Sequence, residues 1–238
     1  IGKMEQAEVN AMVARGAAAG VNIVDCWMSD PAVRSALGEA LEPTRDQWII
    51  QGHIGSTWQD GQYVRTRDMD KVKSAFEDLL ERLRTDHVEL GMIHYVDEVE
   101  EFDRIMAGEF FAYVQELLAT GKIEHIGLST HSVDVAKKAA SHDAIEMIMF
   151  SSNPAFDLLP ATASLDDAFE ETYDEALAGM DEAHAELYAL CERNNVGITV
   201  MKGFAGGRLL DAAKSPFGVA LTPVQCLHYA LTRPAVAS

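Results

Sequence analysis

Two apolar periods take turns along this chain. Short apolar runs of strand length are each followed by a stretch in which apolar residues recur every three or four positions, the signature of an amphipathic helix. Ala7, Val9, Met12, Val13 and Ala17 set a helix over Glu5 to Ala19, with Gly20 as its stop. Val21 to Trp27 reads as a buried strand, and Asp30-Pro31 supplies a cap and a first-turn proline for a helix to about Leu41. Trp48 to Ile54 is the next strand. Val72, Phe76, Leu79, Leu80 and Leu83 mark a helix over Asp68 to Leu83. The rhythm continues through a strand at Val88 to Tyr95, a helix at Glu100 to Ala119, a strand at Ile123 to Ser129 and a helix capped by Ser132. Then come a strand at Ile145 to Phe150, a helix at Ala183 to Arg193, a strand at Val196 to Met201 and a helix opened by Thr222-Pro223.

Six strands and the start of a seventh, with helices and no hairpin turns between them, predict a parallel sheet covered by helices. An open doubly wound sheet and a closed barrel both satisfy that pattern. No G-x-G-x-x-G follows the first strand, which favours the barrel. The expected fold class is therefore α/β, a (β/α)8 TIM-type barrel forming a single domain over 1–238. One strand is expected to be missing before Ile1, and the last, at Ala235 to Ser238, to be cut short.

With 48% hydrophobic and 24% charged residues, the composition is that of a soluble globular protein. No apolar run approaches the ~18 residues of a membrane helix. The 38 acidic residues outnumber the 19 basic ones, a formal charge of −19, which repels nucleic-acid phosphates and anionic membrane surfaces alike. Cys26, Cys191 and Cys226 make neither a disulfide framework nor a close metal pair and suit a reducing cytoplasm. No signal peptide is expected. Ala139 to Glu192 contains no Lys or Arg, and Asp166 to Glu175 is densely acidic. The segment 157–186 is a solvated face, a lid, or a docking surface for a basic protein partner.

In a parallel barrel the chemistry gathers at the C-terminal ends of the strands. Those ends read Asp25, His53, His94, Ser129-Thr130-His131, Asn153 and Met201-Lys202. Polar groups that close apolar strands are costly to bury without partners, so three consecutive ends bearing Asp, His and His predict one pocket. Asp25, His53, His94 and His131 are also metal-ligand types. That leaves open a metal-dependent or acid/base hydrolase or lyase, and a non-catalytic binding or regulatory barrel. Tyr63, in the loop Gly61 to Arg67, is a phenol that could reach the pocket from outside the strands.

Gly20 to Asp25, Arg45 to Ile50, Leu83 to His94, Gly121 to Ser129 and Asn153-Pro154 together resemble the aldo-keto reductase family, in order and spacing, over nearly the whole chain. The resemblance implies a (β/α)8 barrel, a nicotinamide cofactor (NADP or NAD) and hydride transfer to a carbonyl compound, a small-molecule substrate. It implies an Asp, a Tyr, a Lys and a His in the active site. Asp25 and His94 match the Asp and the His. His53 stands at the Lys position and Asp30 at the Tyr position, so the usual proton donor is absent and reduction of simple aldehydes is expected to be weak. Asp30 also reads as a helix cap. Lys202 could compensate for the lost Lys or bind a substrate carboxylate. The catalytic candidates are thus Asp25, His53, His94, Asp30 and Lys202. The resemblance assigns the cofactor to Ser129, Thr130, Asn153, Met201, Gly203 and Gly206, with Thr130 replacing an Asn and Met201 an aromatic. No metal site is expected. Some related chains carry a cysteine-rich iron–sulfur segment, which here would have to lie outside these residues.

Overall fold

The computed structural model describes residues 1–159 and 179–238. Its elements are α1 (Gln6–Ala18), β1 (Ile23–Cys26), α2 (Pro31–Leu41), β2 (Ile49–Ile54), β3 (Ser56–Gln59), β4 (Gln62–Arg65), α3 (Met69–Leu83), β5 (Val88–Ile93), α4 (Val99–Met106), α5 (Glu109–Ala119), β6 (Ile123–Thr130), α6 (Val133–Ala140), β7 (Met147–Ser151), α7 (Glu182–Asn194), β8 (Gly197–Met201) and α8 (Pro223–Leu231). Six strands form one sheet in the order β1-β2-β5-β6-β7-β8. This is the helix-alternating α/β fold of the TIM-type barrel class.

The chain divides into two compact units, Ile1–His94 with Asp103–Gly127, and Tyr95–Phe102 with Leu128–Ser238. In the first unit β1, β2 and β5 pair in parallel, with Asp25 beside Gln51 and His53 beside Met92. Side chains alternate faces along a strand, so Asp25, Gln51, His53 and Met92 share one face. Helix α3 buries the five residues that its spacing selects: Val72, Phe76, Leu79, Leu80 and Leu83. Each such side chain stabilises the fold by ~1.5–3 kcal/mol. In the second unit β7 and β8 pair in parallel from Met147–Gly197 to Ser151–Met201. The segment after α8 joins them: Val236 bridges Ile198 in parallel, and Val200 N–H donates to Ser238 O at 2.7 Å.

Two expectations are corrected. The predicted helix over Glu100 to Ala119 is two helices, with Gly108 in extended conformation as the cap of the second. The expected absence of hairpins fails at β3–β4, an antiparallel hairpin that follows β2 directly. Its turn residues Asp60 (φ 51°) and Gly61 (φ 80°) are both left-handed, as a type I′ turn demands. Asp-Gly is a strong sequence signal for that turn. The strand-to-helix rhythm concealed it. Thr57 Oγ1–H donates to Val64 O within the ribbon, and Ser29 Oγ–H and Ser56 Oγ–H tie it to the segment after β1.

Candidate functional site

The first unit brings Asp25, His53 and His94 into one hydrogen-bonded line. His53 Nε2 lies 2.8 Å from Asp25 Oδ1, and His53 Nδ1 lies 2.7 Å from His94 Nδ1. His94 Nε2 lies 2.6 Å from Tyr63 Oη, so the hairpin carries a phenol to the end of the line. Both imidazoles are buried, whereas Asp25 and Tyr63 are half-buried. Gln51 Nε2–H also donates to Asp25 Oδ1, at 3.3 Å. Trp27 stacks parallel to the His94 ring and meets the Tyr63 ring edge-on, with centroids 6.4 and 5.5 Å away. Arg67 Nη2–H donates to His94 O at 2.7 Å. The backbone around His94 is therefore pinned by β2, through Ile54 O, and by Arg67.

The proton positions follow from the partners. Asp25 as a carboxylate can only accept, so His53 Nε2 carries hydrogen. With neutral rings, His53 Nδ1 accepts from His94 Nδ1–H, and His94 Nε2 accepts from the Tyr63 hydroxyl. Every bond then points towards Asp25. Adding one proton makes His53 a double donor and reverses the outer bonds, so that His94 Nε2–H donates to Tyr63 Oη. The line can thus pull a proton from the phenol or push one towards it.

A model of the aldo/keto reductase family matches residues 1–221. The chain belongs to that family. Aldo-keto reductase YhdN of Bacillus subtilis is 30% identical over 103 residues, which span 41% of this chain and 29% of that protein, under a third of its length. Among solved structures, the holo form of an aldo-keto reductase from Bacillus halodurans aligns over 97% of this chain and 71% of its own, with 20% identity and a TM-score of 0.66. An aldo-keto reductase from Klebsiella pneumoniae in complex with NADPH aligns over 99% and 75%, with 13% identity and a TM-score of 0.64. At these identities the structures speak for the fold.

The other residues selected from the sequence of this family member fall into different roles. Asp30 lines a cleft of about 470 Å³ together with Asp25 and Trp27. Its Oδ1, however, accepts from Ala32 N at 2.8 Å as the N-cap of α2, which is the helix-cap reading. Lys202 belongs to the second unit, where its Nζ–H donates to His131 Nε2 at 3.0 Å. The His131 ring and backbone N–H both bind Asp97, a carboxylate that lies three residues beyond the strand end at His94. Thr130 Oγ1–H donates to the same carboxylate.

At the positions the resemblance gives to a nicotinamide cofactor, the polar side chains are engaged within the protein. Ser129 Oγ accepts from Tyr95 N, and the Asn153 side chain, fully buried, binds Lys202 O and the backbone N–H groups of Ala155 and Phe156. The loop after β8 is different. Gly206 and Gly207 have φ of 64° and 90°, and a Cβ on Gly207 would meet nothing within 4 Å. Gly203 is similarly uncrowded, and Met201 beside it is half-buried. Open backbone of this kind fits a pyrophosphate.

No group of three His, Cys, Asp or Glu side chains among the described residues is placed to hold a metal ion. The His53 and His94 nitrogens face each other and their chain partners rather than one shared centre. Burial pushes the Cys26 and Cys191 thiols up to about 12. No helix among the described residues is long and apolar enough to cross a membrane. The acidic run Asp166–Glu175 lies outside the described residues. Of its flanks, Asp157 is buried and Asp181 caps α7, so neither stands as a docking charge.

Proposed function

We propose that this chain is an NADP(H)- or NAD(H)-dependent oxidoreductase acting on a carbonyl compound, with Tyr63 as proton donor in place of the family tyrosine. The observation that carries the reading is the unbroken line Tyr63–His94–His53–Asp25, with links of 2.6, 2.7 and 2.8 Å. A bound nicotinamide cofactor would supply the hydride, and the open glycine backbone of Gly203, Gly206 and Gly207 would suit its pyrophosphate. The protein's task is the proton. As charge develops on the carbonyl oxygen, Tyr63 gives up its hydroxyl proton. Without help the resulting phenolate is costly, since a free phenol titrates near 10. In the singly protonated line His94 Nε2–H already donates to Tyr63 Oη, so the phenolate is met by a charge-assisted bond and refilled from His94, which is refilled from His53. Asp25 balances the charge. His53 thereby takes the place of the missing lysine, as the cation behind the phenol, at one imidazole's remove.

The neutral line, with its bonds pointing to Asp25, suits the reverse step, in which the phenol takes a proton from an alcohol. Loss of the extra proton from the line is therefore expected to weaken reduction and favour oxidation.

The test is Tyr63→Phe, which keeps the ring contacts with Trp27 and His94 and removes only the hydroxyl. Aldehyde reduction at saturating NADPH should fall by ~10²–10⁴-fold, the usual worth of general acid help, with NADPH affinity unchanged. Near wild-type turnover in Tyr63→Phe would remove Tyr63 from the chemistry. Failure of the wild-type chain to bind either nicotinamide cofactor would remove the oxidoreductase reading itself.

A further inference from the structure

The second unit holds another line of titratable groups that the proton chain does not use. Asp97 Oδ2 accepts from His131 Nδ1–H at 2.9 Å, and Asp97 Oδ1 accepts from the His131 backbone N–H at 2.7 Å and from Thr130 Oγ1–H at 3.1 Å. The backbone and Thr130 bonds hold the carboxylate, and the ring bond sets the tautomer, with hydrogen on Nδ1. His131 Nε2 therefore presents a lone pair, and 3.0 Å from it lies the Lys202 amine. The Tyr95 ring abuts the imidazole edge-on at 5.0 Å.

The backbone is bent to make this arrangement. Lys202 (φ 59°) and Tyr95 (φ 51°) both sit in the left-handed region, which is uncommon for residues with a side chain. Such conformations persist where surrounding bonds over-determine them, and they cluster at functional sites. Lys202 O accepts from Asn153 Nδ2 and from Ala205 N, and Tyr95 N donates to Ser129 Oγ. Asn153 and Ser129 thus act as positioning residues for the loops that frame the amine.

We propose that Lys202 is a nucleophilic amine, primed by the Asp97–His131 dyad, that forms an imine with an aldehyde or ketone. This is a second chemistry, independent of the nicotinamide reading. His131 Nε2 takes one proton from the ammonium, and Asp97 stabilises the imidazolium. The Lys202 Nζ lone pair attacks the carbonyl carbon, the C=O π pair moves to oxygen, and that oxygen takes the proton from His131. The carbinolamine then loses its hydroxyl, with one proton, as water, and the C=N bond forms. No oxidant or reductant is consumed. Burial holds the Lys202 amine below the usual lysine range, against the pull of Asp97. Desolvation of this kind is one way lysines become nucleophiles. Burial alone would raise the Asp97 carboxyl, but its bonds to His131 outweigh that and leave it lowered and ionised.

The test is reductive trapping of the whole chain with propanal and cyanoborohydride, read by peptide mass mapping and without any nicotinamide. At pH 7 Lys202 should be alkylated about tenfold or more faster than the exposed Lys71 and Lys214, because more of it is free amine. His131→Gln should slow Lys202 by about tenfold or more, the loss of a local base, and leave Lys71 and Lys214 unchanged. That deficit should close near pH 10.5, where a lysine sheds its proton unaided. Among the described residues, Asp97 and His131 are the titratable groups bonded in line with the amine. Trapping at Lys202 no faster than at the exposed lysines would overturn the proposal. So would an unchanged rate in a folded His131→Gln protein. Slow trapping combined with a loss of NADPH affinity in Lys202→Met would make the amine an anion contact instead, which also overturns it.

Discussion

The Tyr63 line of the first unit and a cluster around Asp157 in the second each combine phenol and carboxylate, and they differ in what they leave open. In the first unit Tyr63, His94, His53 and Asp25 run from a half-buried phenol to a half-buried carboxylate. In the second, Asp157 is sealed at 1% exposure. Tyr229 O–H donates to its Oδ2 at 2.7 Å, and Tyr188 Oη lies 3.1 Å from both carboxylate oxygens and 2.6 Å from Ser152 Oγ. Burial raises the Asp157 carboxyl, and burial and the carboxylate together push both phenols up. The hydrogen-bond partners of Asp157 are internal, so the cluster holds the segment after β7 in place. Both clusters carry a half-buried phenol, Tyr63 in one and Tyr229 in the other, so the contrast lies at the carboxylate, half-buried in Asp25 and sealed in Asp157.

The sharpest way to break the contrast is at the middle of the open line. His94→Gln keeps an amide that can hydrogen-bond Tyr63 but cannot carry a proton. Reductive kcat should fall by ~10²-fold or more, while the midpoint of thermal unfolding moves little. If turnover survives, His94 only orients the substrate. In the sealed cluster the expectation reverses. Asp157→Ala leaves the buried Tyr188 and the half-buried Tyr229 short of an acceptor, at about 1–3 kcal/mol for a buried group, so the urea midpoint should drop clearly. Any activity that survives folding should keep its kcat.

The sealed cluster also has a pH signature. A carboxyl whose folded titration point lies above its unfolded value of about 3.9 binds more protons in the folded state between those two points, so stability falls as pH rises through that window. The effect is fully favourable below the unfolded value and lost above the folded one. Asp157→Asn removes this component, so the difference in unfolding free energy between wild type and variant should change steadily from about pH 4 upward, the unfolded titration point. A difference independent of pH would mean that Asp157 ionises in the folded protein as easily as in the unfolded one.

What the sequence made legible follows the same division between local and long-range information. Strand-end spacing placed Asp25, His53 and His94 together, because parallel pairing and a two-residue side-chain period leave few alternatives once the strands are found. The period in α3 selected its buried residues for the same reason. The hairpin was written in Asp60-Gly61 but was masked by the expectation of a helix after every strand. With it went the main argument for Tyr63, whose approach to His94 depends on the ribbon's anchoring through Ser56 and Ser29. Asp97 was illegible because its role depends on a carboxylate reaching across to the end of β6, a contact with no fixed spacing in sequence. The burial of Asp157 was similarly hidden inside an acidic segment, since charge density there says nothing about which carboxylate turns inward.

The smallest expected effect concerns Asp30, which the resemblance to the family would set at the proton-donor position. It shares a cleft with Asp25, yet its Oδ1 is occupied by the first turn of α2. Negative charge at a helix start is stabilised by the helix dipole, and a carboxylate that accepts a backbone N–H there has no proton to give. Asp30→Ser keeps a capping oxygen and removes the acid. It should leave reductive kcat within about twofold, since none of the ~10²-fold worth of a proton donor is lost, and stability nearly unchanged. Asp30→Ala should cost about 1 kcal/mol of stability through the lost cap, again with little change in kcat. The pair separates cap from catalyst. A large drop in kcat for Asp30→Ser, with its unfolding midpoint intact, would return the proton-donor role to position 30 and reduce Tyr63 to a neighbour of His94.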